Sequence, residues 1–285
     1  MNFSSVKQDS SPKIERRVSQ GQLNVLQTCP RKFQYTYLEK SNAPISPEQQ
    51  TKIAWGNRFH LLMQQRELGL PVESLLQEDP VMERCYRGLL DAAPELFHGS
   101  DRGNGEVFRE AEHCRTLQFH GYLLVAVYDL LIAEKNTAQI LDWKTYPLPT
   151  NPRYVEGNWQ TKLYPFLFAE TSDYLPGKIS MSYWFVRSAG NPEFGQSSLS
   201  LRFAYNTDKH DRIRQQLARL LNQLTAWLQA YEERGEPFPQ VPVTASGLCQ
   251  GCQFAIRCQR TKEGQEASLG GDRVPSLAEI DEVTL

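Results

Sequence analysis

A chain of 285 residues, 40% of them hydrophobic, can bury a core of its own as one large domain or two small ones. No apolar run approaches the ~18 residues of a membrane span, and the opening MNFSSVKQDSSPKIERR lacks the apolar stretch of a secretory signal, so a cytoplasmic protein with no membrane partner is expected. The net charge of −2 neither signals nor excludes nucleic acid, because residues 262–285 alone carry −4 and leave +2 for the rest.

Residues 1–18 are polar and are expected to be disordered. Ser19 reads as the N-cap of a helix carrying Leu23 and Leu26. Pro30 cannot sit inside that helix but suits the first turn of a new one, which places Cys29 at a helix start with Phe33 and Tyr37 on one face. Residues 41–50 read as a loop. Helical patterning covers 51–68 and returns in pieces from Val72 to Phe97, giving a helical portion over 51–98. Gly99–Gly105 (GSDRGNG) is a turn-rich break. Strands are then expected at 106–119, 122–132 and 138–145, joined by His120-Gly121 and the polar EKNT turn. A helix near 158–171, two strands at 178–187 and 199–205, and a long helix over 208–234 follow. In that last helix Ile213, Leu217, Leu220, Leu221, Leu224 and Leu228 keep helical spacing. A Pro-rich strap, EPFPQVPV, leads into a cysteine cluster, and 261–285 reads as an acidic, disordered tail. This order predicts an α/β fold, a central mixed sheet flanked by helices, in one domain over 19–260.

The chemistry concentrates in LLVAVYDLLIAEKNTAQILDWKT. Asp129 lies in an otherwise apolar strand, and Asp142 and Lys144, separated by one residue, point to the same face of the next. An ionised carboxylate among apolar residues is costly unless it is paired or binds a metal. Two carboxylates converging beside a lysine offer hard oxygen ligands for Mg²⁺ or Mn²⁺ and a cation that orients water, the equipment of phosphodiester hydrolysis. The plainer alternative is a hairpin with a structural Asp–Lys salt bridge. Glu110 and Glu112 alternate on the preceding strand, and either could supply an outer ligand. His60, among Phe59, Leu61, Leu62 and Met63, reads as a core histidine or as a ligand. Gln160 and Tyr164, i and i+4 on one helix face, read as surface or as a pair able to bond a phosphate and stack on a base or sugar.

Together these segments resemble the PD-(D/E)XK nuclease superfamily, in its RecB-like exonuclease branch. Asp129 and the Asp142-Trp143-Lys144 triplet are similar to its second and third motifs, Trp55-Gly56-Asn57-Arg58-Phe59-His60 to its G-x-x-x-H element, and Gln160-Thr161-Lys162-Leu163-Tyr164 to its Q-x-x-x-Y motif. Ser19–Phe33, with the Cys-Pro step, resembles its N-terminal segment. One departure is Ala126, where the family usually has glycine. The resemblance implies a restriction-endonuclease-like core. It implies catalytic roles for Asp129, Asp142, Lys144, Gln160 and Tyr164. It also implies a metal held by His60, Asp129, Asp142 and the backbone carbonyl of Trp143.

Three of the six cysteines, Cys249, Cys252 and Cys258, lie within ten residues, and clustered cysteines outside a secreted context point to metal. Cys29 is the best candidate for a fourth ligand, since Cys85 and Cys114 fall in a helical and a strand pattern. Spacing alone leaves zinc and a [4Fe–4S] cluster both open. One cysteine before the core and three after it resembles the iron–sulfur nucleases of the RecB/AddB and CRISPR-associated exonuclease types, which implies [4Fe–4S], with 237–260 closing onto Cys29. Arg31, Lys32, Arg153 and Lys162 could track phosphates. The expected activity is metal-dependent cleavage of DNA, from single-stranded or free ends, in repair, recombination or CRISPR adaptation. No Walker-type G-x-x-x-x-G-K-[ST] occurs, so any unwinding needs a helicase or a CRISPR adaptation protein in trans. Competing readings are a non-catalytic DNA-binding subunit of a helicase–nuclease complex and a structural zinc protein.

Overall fold

The computed structural model describes residues 16–41, 44–97, 107–186, 200–242 and 247–260. Its spine is a mixed sheet of β1 (Arg16–Val18), β2 (Phe108–Phe119), β3 (Tyr122–Ala133), β4 (Ala138–Lys144), β5 (Ile179–Phe185) and β6 (Ser200–Ala204). The helices are α1 (Gln20–Thr28), α2 (Pro30–Phe33), α3 (Pro47–Glu67), α4 (Glu73–Glu78), α5 (Pro80–Ala92), α6 (Pro94–Phe97), α7 (Pro152–Gly157), α8 (Trp159–Glu170) and α9 (Thr207–Arg234). No helix among the described residues is long and apolar enough to cross a membrane.

Most boundaries follow from local chemistry. Ser19 and Ser46 each form a capping box, with Gln22 and Gln49 three residues on. The second box starts α3 four residues before the expected position, because Pro47 occupies the first turn, where a missing N–H costs nothing. Cys29 sits extended between α1 and α2, as Pro30 dictates, and α2 continues into a π-turn over Gln34–Leu38. His120 and Gly121, with φ of 49° and 81°, make the tight β2–β3 hairpin turn. α9 runs from its Asn206 cap to Gly235 in the left-handed conformation, where the Gly235 and Glu236 amides close onto Tyr231 and Ala230. One further expectation shifts. Residues 16–18, placed in a disordered N-terminus, form β1 and pair parallel with Tyr122–Leu124 of β3. Residues 1–15, the GSDRGNG turn and the acidic tail from 261 lie outside the described residues.

The sheet separates two cores. Leu23, Leu26, Tyr128, Ile140, Phe166, Leu217 and Leu221 lie on one face, under α1, α8 and α9. Phe59, Leu62, Met82, Leu89, Leu141 and Trp143 lie on the other, under α3 and α5. β5 is buried along its whole length, as a central strand covered on both faces must be.

The feature that makes a site is a fork. β2 pairs antiparallel with β3 from Phe108↔Ala133 to Phe119↔Tyr122, with a break at the row of Glu112 and Asp129, and so occupies one edge of β3. The other edge is shared: β1 takes Tyr122–Leu124, and β4 takes Leu130–Ala133. Between them, among the described residues, the ladder is open over Val125–Asp129. The side-chain alternation also slips there. Leu124, Ala126 and Tyr128 belong to the first core, Leu130 to the second, and Leu131 and Ala133 to the first again. Asp129 lies at the slip.

Candidate active site

Three elements deliver side chains to the fork. β3 brings Asp129. Across the hairpin, at the row where Ala111↔Leu130 and His113↔Tyr128 flank it, β2 brings Glu112 with φ of +52°, a conformation uncommon for a residue with a side chain. α3 brings His60, whose Nδ1 lies 3.3 Å from Asp129 Oδ1. The ligand atoms of His60, Glu112 and Asp129 all fall within 4.8 Å of one another, a spacing one cation can bridge.

α3 comes close enough because of Gly56, one turn before His60. A Cβ there would stand 2.9 Å from Thr145 Oγ1, just past the end of β4, so a side chain would hold the helix off the sheet. The other oxygen of Asp129 accepts from the Trp143 amide at 2.6 Å, fastening the acid to β4 where the ladder has opened.

Asp142 and Lys144 adjoin this trio, close enough that their charges act on His60 and Asp129, and reach toward α8. Lys144 Nζ lies 2.5 Å from Asp142 Oδ1, close in distance but off-line, so that this buried oxygen has no aligned hydrogen bond. Gln160 closes the group: its Nε2 donates to Asp142 Oδ2 at 2.5 Å and its Oε1 accepts from Lys144 at 2.8 Å. α8 is held in place by Asn24, whose Nδ2 donates to Asn158 Oδ1 and whose Oδ1 accepts from the Trp159 amide, both at 2.9 Å. Tyr128 adds a bond from its hydroxyl to the Tyr164 carbonyl, also 2.9 Å.

The electrostatics tie the two groups together. Burial pulls the His60 imidazole down, but the Asp129 carboxylate, its hydrogen bond and the charge of Asp142 outweigh this and lift the pKa to about 9. Burial pushes Asp129 up, yet His60, Lys144 and the Trp143 amide bring it below the usual carboxylate range. Asp142 goes the other way: burial, with help from Asp129 and against the pull of Lys144, raises it to about 7. Two acids with opposed shifts thus face two cations, His60 and Lys144, in one buried cluster, the pattern of a functional site. A divalent ion fits, because the donors are carboxylate oxygens and an imidazole and one buried oxygen lacks an aligned bond.

The expected residues fare unequally. Asp129, Asp142, Lys144, His60 and Gln160 come together, in two adjoining groups rather than around one point, with Asp142 outside the trio of close ligand atoms. Gln160 is 4% exposed, so it orients Asp142 and Lys144 and does not meet a phosphate directly. Tyr164 is a correction: 1% exposed and packed 5.2 Å from the Tyr128 ring, it is a core residue that cannot stack on a base, because α8 lies flush against the sheet. Arg31 is also corrected, since its guanidinium donates to the Phe238 carbonyl at 2.6 Å and so ties α2 to the C-terminal strap. Lys32 is partly buried, Arg153 is exposed on α7, and Lys162 lies over the Trp159 ring at 5.2 Å, where burial pulls its pKa down. Between the two glutamates the structure chooses Glu112. Glu110 instead meets His113 at 2.6 Å.

At the far end of the chain the strap docks onto α2. Phe238 is buried, its amide donates to Gln34 Oε1 at 2.7 Å, and the Arg31 amide donates to the Pro239 carbonyl. Arg257 pairs with Glu39 at 2.6 Å and lies over the Tyr35 ring at 4.0 Å. Gly251, φ +74°, turns the chain between Cys249 and Cys252. The Cys258 thiol is pushed up by burial and then by Cys29, against the pull of Arg31 and with smaller help from Cys252 and Cys249. The other three partly buried sulfurs thus lie near enough to act on it, though not in the tight spacing of the His60 trio. Cys85 is buried in the second core and Cys114 is exposed on β2, both apart from this group. Four thiols with no other assigned task suit a metal or a metal–sulfur cluster.

A forked mixed sheet that presents paired acids and a lysine to a covering helix defines a nuclease-type α/β core. The chain belongs to the PD-(D/E)XK nuclease superfamily, whose sequence model matches residues 17–259. Hydrolysis of nucleic acid goes with that membership. No curated protein matches. Among solved structures, a candidate exonuclease from Eubacterium rectale is similar at 11% identity and a TM-score of 0.49, covering 94% of this chain and 96% of its own. The protein SSO0001 is similar at 15% identity and a TM-score of 0.37, covering 88% of this chain and 90% of its own.

Proposed function

We propose that the protein is a divalent-metal-dependent DNA nuclease that degrades DNA from single-stranded or free ends, with a [4Fe–4S] cluster joining the two ends of its chain. The observation that carries the reading is the meeting of His60, Glu112 and Asp129 at the sheet's fork, beside the Asp142–Lys144–Gln160 group. These ligands, with Asp142 and the Trp143 carbonyl, would hold Mg²⁺ or Mn²⁺. When bound, the ion supplies charge stabilisation at the phosphoryl oxygens and acidifies a coordinated water. Lys144, cationic because Asp142 outweighs its burial, donates toward the attacking water and steadies developing negative charge. Gln160 fixes the direction of both side chains. His60 must bind as neutral imidazole, which the ion's own charge favours. Cys29, Cys249, Cys252 and Cys258 would hold the cluster, bridging α2 to the C-terminal strap away from the fork.

End-labelled single- and double-stranded DNA, with free and blocked ends, should be cut in Mg²⁺ or Mn²⁺ and not in chelator. Asp142→Ala should abolish cutting while the protein remains folded. If that variant cuts as fast as wild type, the active-site assignment is wrong. Anaerobic purification with metal analysis decides the second site: a brown protein with stoichiometric iron and sulfide supports the cluster, and a colourless one with zinc supports a structural ion.

A further inference from the structure

Both oxygens of Asp142 have a neighbour, although the contact at Oδ1 is an ion pair without an aligned hydrogen bond. Lys144 stands at one and Gln160 at the other, and the two bond each other, so a closed ring of contacts covers the acid. A divalent ion approaching Asp142 meets an ammonium at the oxygen it needs, and like charges a few ångströms apart in a buried site repel strongly. The acid can take an ion only if Lys144 moves off. A buried ammonium that leaves its carboxylate needs another acceptor.

Tyr146 offers one. It follows Lys144 by two residues and packs against the core under α8, the side that Asp142 and Lys144 face. Its ring is fixed edge-on to Phe185 at 5.7 Å, and Phe185 is the register partner of Lys144. Its hydroxyl is buried and makes no hydrogen bond. The phenol lies near enough to Lys144 and Asp142 that their charges bear on it, while burial keeps it protonated and neutral. A buried hydroxyl without a partner costs stability that phenylalanine would not. The cost makes sense if the hydroxyl is used in another state of the site.

We infer that Tyr146 is a positioning residue, whose hydroxyl accepts Lys144 Nζ–H when a divalent ion takes Asp142 and so converts Lys144 from a latch on the acid into a donor beside the ion. The inference rests on the metal-dependent nuclease reading. The test is Tyr146→Phe in the full chain, with Mn²⁺ binding followed by calorimetry and by quenching of tryptophan fluorescence, since Trp143 adjoins Asp142. Without metal the variant should melt at or above the wild-type temperature. Its Mn²⁺ half-saturation should rise about tenfold, the order of one hydrogen bond to a charged group. Its kcat should fall with KM for DNA unchanged. In a Lys144→Ala background the same substitution should leave Mn²⁺ affinity unmoved, because the group it serves is gone. Unchanged Mn²⁺ affinity in the single variant overturns the inference and leaves the nuclease reading standing if wild type still cuts. A lower metal-free melting temperature also overturns it, by showing that the hydroxyl is structurally bonded. Failure of wild type to bind Mn²⁺ overturns both.

Discussion

Gly56→Ala separates the packing of α3 from the chemistry it serves. The added Cβ would lie 2.9 Å from Thr145 Oγ1, with Thr145 Cβ and Cγ2 both at 3.9 Å, so a single atom makes the clash. Relieving it to ordinary contact requires a movement of ~0.5 Å, near the tolerance for a metal-binding or catalytic group. Two effects on stability oppose each other. Alanine gains ~1 kcal/mol over glycine inside a helix, while overpacking a close contact costs ~1–3 kcal/mol. The net is a loss of ~0–2 kcal/mol, a few degrees in melting temperature for a chain of this size. Activity should suffer more. His60 rides one turn along the same helix, 3.3 Å from Asp129, and a shift of half an ångström should slow cleavage ~10-fold, given that ~1 Å of misplacement can cost ~100-fold. Single-turnover cleavage at saturating Mn²⁺, alongside thermal melting, measures both. Adding Thr145→Ala removes Oγ1 and leaves the nearest remaining Thr145 atom at 3.9 Å, so the double variant should recover most of the rate. If Gly56→Ala cuts like wild type, or the double variant is as slow as the single, close approach of α3 is not what places His60.

Metal-free protein should lose stability as pH rises. Asp142 is raised to about 7 from 3.8, so its proton favours the fold and that contribution fades from pH 4 through 7. His60 is raised to about 9 from 6.5, and its contribution fades from 6.5 through 9. Relative to Asp142→Asn, wild type in chelator should therefore melt progressively lower between pH 5 and 8, and a widening advantage for wild type would contradict the shift. Mn²⁺ must displace these protons, so its stabilising effect should grow over pH 7–9, as melting with and without the ion will show. Asn24→Ala removes the bonds to Asn158 and the Trp159 amide and should cost ~2–3 kcal/mol and slow cleavage by loosening Gln160; unchanged melting would refute that role. Cys252→Ser should lower iron content and the melting temperature by ~5 °C. The Phe238 and Arg257 contacts should still hold the strap on α2, so limited proteolysis should find it protected, and rapid cleavage there would show that the cysteines alone secure it.

The sequence determined what depends on a residue and its near neighbours. Runs of strand-forming residues located the strands after β1, 3.6-residue spacing located α9 to within one residue of its start, and the capping serine Ser19 located α1. The D-x-K step put Asp142 and Lys144 on one face, because a strand has a period of two. Tertiary structure decided everything that depends on the distance between elements. Glu112 rather than Glu110 reaches Asp129 because both strands are irregular at one row, and no local pattern announces a left-handed residue in mid-strand. Tyr164 is buried and Arg31 is turned toward Phe238 because α8 lies on the sheet and the strap lies on α2. Helical spacing says which face a side chain occupies, but only packing says what covers that face. The same limit explains the four cysteines. Their spacing leaves the ligand set open, and only the docking of the C-terminal segment against α2 brings Cys29 beside Cys258.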